Sequence, residues 1–137
     1  MNEDFVSFEI AKKLKQKGFS CEIPFAMYNE IADFHLLTTA APYYVCASGF
    51  KYREYYNYED FDEHDCIAPT ISQVLKWLRK EKSLHIEILH IFSEKVFWEF
   101  EVAHIGSYER WWDNTELCDS YEKATLAGIE YVLDNLI

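Results

Sequence analysis

Residues able to do chemistry are few in this chain, and they are scattered. The densest cluster is Glu59-Asp60-Phe61-Asp62-Glu63-His64-Asp65. Hard cations are bound by several carboxylate oxygens, which such a run supplies, but it lacks the glycine and the ligand periodicity of a calcium loop. It therefore reads as a solvated acidic patch made of Glu59, Asp60, Asp62, Glu63 and Asp65, with no metal expected. Paired carboxylates for acid–base work are offered by Glu99 and Glu101, with Glu87 and His85 across a hairpin. Such work needs a desolvated cleft that separates their pKa values, and an exposed sheet face does not provide one.

The other reactive types give no site. Cys21, Cys46, Cys66 and Cys118 are far apart, with no C-x-x-C pair among them, so zinc knuckles and redox motifs are not indicated. They are expected as free thiols, mostly buried like small apolar residues. His85 and His90 differ in parity on a strand and point to opposite faces, while His90 and His104 fall at strand ends. The glycines Gly18, Gly49, Gly106 and Gly128 stand alone, which excludes phosphate-cradling and dinucleotide-binding loops. No catalytic signature of serine, cysteine or zinc enzymes is present. No cofactor is expected, and the balance of these residues leans against an enzyme without deciding it.

What remains is aromatic and acidic. Of the 137 residues, 18% are Phe, Trp or Tyr, and the net charge is −11. The charge is uneven: residues 43–66 carry six acids against two bases, and 107–137 carry seven against two. The same two stretches hold Tyr55, Tyr56 and Tyr58, and Tyr108, Trp111 and Trp112. Adjacent tryptophans in extended chain cannot both face inward. Partly exposed aromatic rings are favoured interface anchors because they bring large area at small entropic cost. These six residues are the candidate interface. A surface of this sign repels nucleic acid and anionic membrane, so direct binding to either is excluded.

Positioning these residues requires a fold, and the sequence has the material for one. Half the residues are apolar, and a chain of this length can bury roughly 70% of its unfolded surface. A single domain spanning 1–137 is expected, with an irregular aromatic and acidic segment at 43–66. A first helix is predicted from Asn2 or Asp4 to Lys17, with Val6, Ile10, Ala11 and Leu14 inward and Gly18 as its stop. Period-two spacing of Cys21, Ile23, Phe25 and Met27 predicts a strand. Asn29-Glu30 offers a turn, and Asp33 to Leu37 a return strand. Thr70 and Gln73 form a capping box for a second helix with Ile71, Val74, Leu75 and Leu78 inward.

A hairpin follows, where Leu84, Ile86 and Ile88 share parity with Trp98, Phe100 and Val102. A three-residue Ser93-Glu94-Lys95 loop sets Ile88 opposite Phe100 and Ile86 opposite Val102. The last helix starts near Asp119 or Ser120, with Tyr121, Thr125, Gly128, Ile129, Val132 and Leu136 inward. Gly128 costs about 1 kcal/mol against Ala in a helix, so a close neighbour is expected there. The fold class is α+β: an antiparallel sheet with about three helices on its apolar face, in the order helix, strands, helix, hairpin, helix.

The blocks Ala68-Pro69-Thr70-Ile71-Ser72-Gln73-Val74-Leu75-Lys76-Trp77-Leu78-Arg79 and Ala127-Gly128-Ile129-Glu130-Tyr131-Val132-Leu133-Asp134-Asn135-Leu136-Ile137 resemble a family of small uncharacterised proteins of gut Bacteroidetes. The opening, Asp4-Phe5-Val6 through Lys17-Gly18-Phe19, is similar to it as well. The resemblance covers the three helices and the hairpin and leaves residues 30–66 divergent. It implies a bacterial, cytoplasmic protein and assigns no site residue. A cytoplasmic location also agrees with the start Met1-Asn2-Glu3-Asp4, which has neither the basic charge nor the apolar run of a signal peptide.

Three functions fit this composition. The first is an interaction module that uses the aromatic patch in its acidic surround to bind a protein partner or itself. The second is an acidic mimic of nucleic acid that blocks a basic protein. The third is a small-molecule binder or enzyme with a pocket between sheet and helices.

Overall fold

A computed structural model describes residues 5–21, 24–36, 64–111 and 117–137. The chain is α+β, with α1 (Phe8–Gln16), β1 (Ala26–Tyr28), β2 (Phe34–Leu36), β3 (Cys66–Ile67), α2 (Ile71–Glu81), β4 (Leu84–Phe92), β5 (Val96–His104), β6 (Arg110–Trp111) and α3 (Tyr121–Asn135). Among the described residues the strands form two antiparallel sheets rather than the single one expected, in the orders β2-β1-β3 and β4-β5-β6. Two compact units divide the chain, Phe5–Thr70 and Ile71–Ile137, and each sheet lies within one of them.

In the first unit, α1 begins later than apolar spacing predicts. Ser7 caps it, its hydroxyl accepting from the Ile10 N–H at 3.3 Å. Val6 is fully buried but precedes the helix, where its N–H donates to the Pro69 carbonyl at 3.0 Å. The helix ends as Gly18 predicts, with φ +81°. Gly18 N–H donates to Lys15 O and Phe19 N–H to Leu14 O, the paired bonds of a left-handed glycine cap.

The predicted Cys21-to-Met27 strand is corrected to three residues. Phe25 is half exposed, whereas Ala26 and Met27 are both buried. Successive side chains of a strand point to opposite faces, so the burial of both Ala26 and Met27 means that both faces of β1 are covered there and strict alternation fails. The Asn29 turn forms as expected, the Asn29 side-chain oxygen accepting from the N–H groups of Ile31 and Asp33. Ring pairs Phe8–Tyr28, Tyr28–Phe34 and Phe34–Phe5, at 5.5, 5.6 and 5.0 Å, tie α1 and its leading residue to this sheet.

In the second unit, α2 begins at Ile71, directly after Thr70 as predicted, but its buried positions are Val74, Trp77 and Leu78. Trp77 therefore joins the core face that Ile71 and Leu75 were expected to complete. The β4–β5 register is the predicted one, Ile86 opposite Val102 and Ile88 opposite Phe100, closed by the three residues 93–95. Ser120 caps α3, accepting from the Lys123 N–H at 3.1 Å. Its inner stripe is Ala124, Thr125, Gly128, Ile129, Val132 and Leu133. Tyr121 was expected inward and is half exposed instead, because it stands on the first turn, beyond the deepest part of the hairpin face. Close approach accounts for Gly128: a Cβ there would meet Ile86 and Phe100 of the hairpin.

Candidate interaction surface

The site residues expected from sequence fare unequally. Tyr55, Tyr56, Tyr58, Glu59, Asp60, Asp62, Glu63 and Trp112 lie outside the described residues. Asp65 is half-buried just before β3, and its backbone carbonyl accepts from Lys15 Nζ at 2.6 Å. That contact fastens α1 to β3 and leaves its carboxylate out of the bond. Tyr108 and Trp111 belong to the second unit and stand three residues apart around one turn.

The turn is built by short-range bonding. His104 N–H donates to the Glu109 carbonyl at 3.0 Å, and Ser107 N–H to the His104 carbonyl at 3.2 Å. The Ser107 hydroxyl accepts from Glu109 N–H at 2.9 Å. Gly106, at φ +86°, takes the left-handed conformation the reversal needs. At its apex Tyr108 is fully exposed (103%), and Ile105 is exposed on the incoming side. The outgoing side enters β6, where Trp111 pairs with Val102 and is half-buried. Trp111 thus anchors the strand, and Tyr108 is the ring presented to solvent. Arg110 reaches back across the sheet to Glu101, with Nη1 to Oε1 at 3.1 Å.

Glu87 and Glu101 face each other across the β4–β5 ladder, and Arg110 lies on Glu101, offsetting a like-charge pair that would otherwise be unfavourable. His85 and His90 are both exposed. The His90 ring lies 5.0 Å from that of its cross-strand partner Trp98. His104 Nδ1 is buried with no hydrogen-bond partner. Among the described residues no group of three His, Cys, Asp or Glu is placed to hold a metal ion. Burial pushes the thiols of Cys21 and Cys66 above the ordinary cysteine range, the opposite of what a nucleophile needs.

Sequence reasoning missed the far end of the hairpin. Phe92 and Val96 face each other beside the 93–95 loop at 77% and 46% exposure. Leu117 and Tyr121 are half exposed, and Tyr121 meets Trp98 edge-on at 5.6 Å. The signal was available: the apolar parity of Leu84, Ile86 and Ile88 runs on to Phe92, farther than the first turn of α3 can cover.

Comparison with protein-family models, curated proteins and solved structures gives no match. None of the described helices is long and apolar enough to cross a membrane.

Proposed function

We propose that the chain is a non-enzymatic cytoplasmic protein-interaction module whose anchor is Tyr108 on the β5–β6 turn. The observation that supports this reading is the full exposure of an aromatic ring on a turn fixed by backbone bonds at both ends. A large ring held out in water gains free energy when a partner covers it, and a pre-ordered turn reduces the ordering cost of binding. Ile105 on the same turn adds exposed apolar area, and Glu109 and Arg110 follow Tyr108 directly in the chain, so an apolar anchor stands next to charged residues, as interface hot spots commonly do.

The test is affinity capture from host lysate at low and high salt, with the wild-type chain and with Tyr108→Ser. The expected result is a partner retained at high salt and lost with Tyr108→Ser. Retention of a basic protein at low salt only, unchanged by Tyr108→Ser, would replace this reading with nucleic-acid mimicry, since screening weakens charge-driven contacts first.

A further inference from the structure

We infer that β4 is a self-pairing edge, through which two copies of the chain join their β4-β5-β6 sheets into one continuous sheet about a two-fold axis. The direction of the β4 backbone groups follows from the two ends of the ladder. Ile105 N–H donates to the Ser83 carbonyl at 2.8 Å, and Ser93 N–H donates to the Lys95 carbonyl at 3.1 Å. Both pairs continue the β4–β5 register. In an antiparallel ladder every second pair exchanges hydrogen bonds, so the odd-numbered residues of β4 bond to β5. Leu84, Ile86, Ile88, His90 and Phe92 then direct their N–H and C=O groups away from it. The far side of β5 agrees: its even-numbered Trp98 exchanges bonds with Cys118 at 2.8 Å each way, and His104 bonds to Glu109.

Among the described residues no strand lies beside β4 on that outer side. Exposed edges are ordinarily blunted by proline, lysine, a bulge or shortness. This edge has none of them: it runs nine residues as LHIEILHIF, in unbroken register with β5. Among the described residues the opposite edge of the sheet differs, because β6 runs two residues and carries Arg110. One long open edge and one short charged edge favour a closed two-fold pair over an open-ended stack of sheets.

A second copy fits this edge by charge and side-chain type. Antiparallel pairing centred on Ile88 sets Ile88 against Ile88 of the other copy, Ile86 against His90, and Leu84 against Phe92. Every outward N–H and C=O then meets one from the other copy. On the other face Glu87 falls opposite Leu89 and His85 opposite Ile91, so no like charges are opposed. Phe92, 77% exposed in the single chain, gains an apolar neighbour. The inference does not depend on the Tyr108 surface, which lies on the β5–β6 turn and not on the outer edge of β4.

The experiment is sedimentation of the wild-type chain over a concentration series up to about 100 μM, where an edge of micromolar affinity is largely paired. The expected species is a dimer. His90→Pro removes an outward N–H and no β4–β5 bond, a position where an edge strand accepts proline. It is expected to weaken the dimer at least about tenfold, as loss of two paired donors, one from each copy, and steric block of their neighbours require. Tyr108→Ser is expected to leave the dimer intact. A wild-type monomer throughout the series overturns the inference, as does a dimer indifferent to His90→Pro or abolished by Tyr108→Ser. Should His90→Pro fail to fold, amide exchange on the wild-type chain decides: protection at Ile86, Ile88 and His90 must rise with concentration, and unchanged protection overturns the proposal.

Discussion

A Cβ placed on Gly128 would stand 2.9 Å from Cγ2 of Ile86, closer than carbon atoms in a settled core approach. The same atom would lie 3.2 Å from Cβ and Cγ of Phe100. Ile86 is β-branched and stiff at its first torsion, so its methyl group does not swing away freely. Gly128→Ala gains about 1 kcal/mol of helix propensity and meets an overpacking cost of about 1–3 kcal/mol. We expect a net loss of about 1 kcal/mol, read from urea unfolding. A more stable Gly128→Ala variant would show that α3 can lift off the hairpin without cost.

Ser120 and Asp119 are adjacent but should matter unequally. The Ser120 hydroxyl accepts the Lys123 N–H at the start of α3, and Ser120→Ala is expected to cost about 1 kcal/mol. Asp119 pairs with Lys123 at 2.9 Å, with both side chains mostly exposed. Asp119→Asn should therefore change stability by less than about 0.5 kcal/mol, because such pairs are screened by water and salt. Thermal melts of the two variants compare them directly.

Alkaline pH should loosen the fold. Burial raises the Cys21 thiol, the Cys66 thiol and the Tyr28 phenol, with the Cys66 thiolate adding to the effect on Tyr28. At Cys66 burial is opposed by Lys15 and Lys12 and reinforced by Asp65, but the net shift is upward. Groups with raised folded values keep their protons longer in the folded chain than in the unfolded one. The stability they contribute is complete below the unfolded values, about 8.5 for Cys and about 10 for Tyr, and is lost as pH rises through the folded ones. Urea midpoints between pH 7 and about 10.5 should fall, and Cys66→Ala should flatten part of that fall. A midpoint that rises over this range contradicts the assignment.

Tyr108→Ser and Trp111→Ser separate binding from folding. Tyr108 is fully exposed, so its loss should shift stability by no more than about 0.5 kcal/mol. Trp111 is half-buried and paired with Val102, so its loss should lower the melting temperature. A matched pair of melts makes Tyr108→Ser a clean probe of partner binding if only Trp111→Ser moves.

Where sequence and structure agree, short-range physics decides the outcome. The β4–β5 register follows from apolar parity and a three-residue loop, and the end of α1 follows from the conformational freedom of Gly18. Gly128 could be assigned to a close approach because glycine inside a helix is otherwise a cost. Where they part, the deciding contacts are distant in sequence. Ser7 rather than residues 2–4 starts α1, where Val6 is held in a backbone bond to Pro69. Cys66–Ile67 becomes a strand only because β1 lies beside it. Among the described residues two sheets form in place of one, since alternation says which face of a strand is buried and not which strand it joins. In the candidate surface, parity flagged the two tryptophans as unable to share a face. It could not say that Tyr108, and not Trp111, would be the exposed ring.

Each described strand pairs only within its own stretch of chain, 5–70 or 71–137. For synthesis this has a temporal meaning. Once Thr70 has left the ribosome, the β2-β1-β3 sheet has all its strands, and the Phe5–Thr70 bridge can close. The β4–β5 hairpin is built from neighbouring residues, and such local pairings form fast. The first sheet can therefore assemble before the open edge of β4 exists, which shortens the time that unpaired strands from both stretches are exposed together.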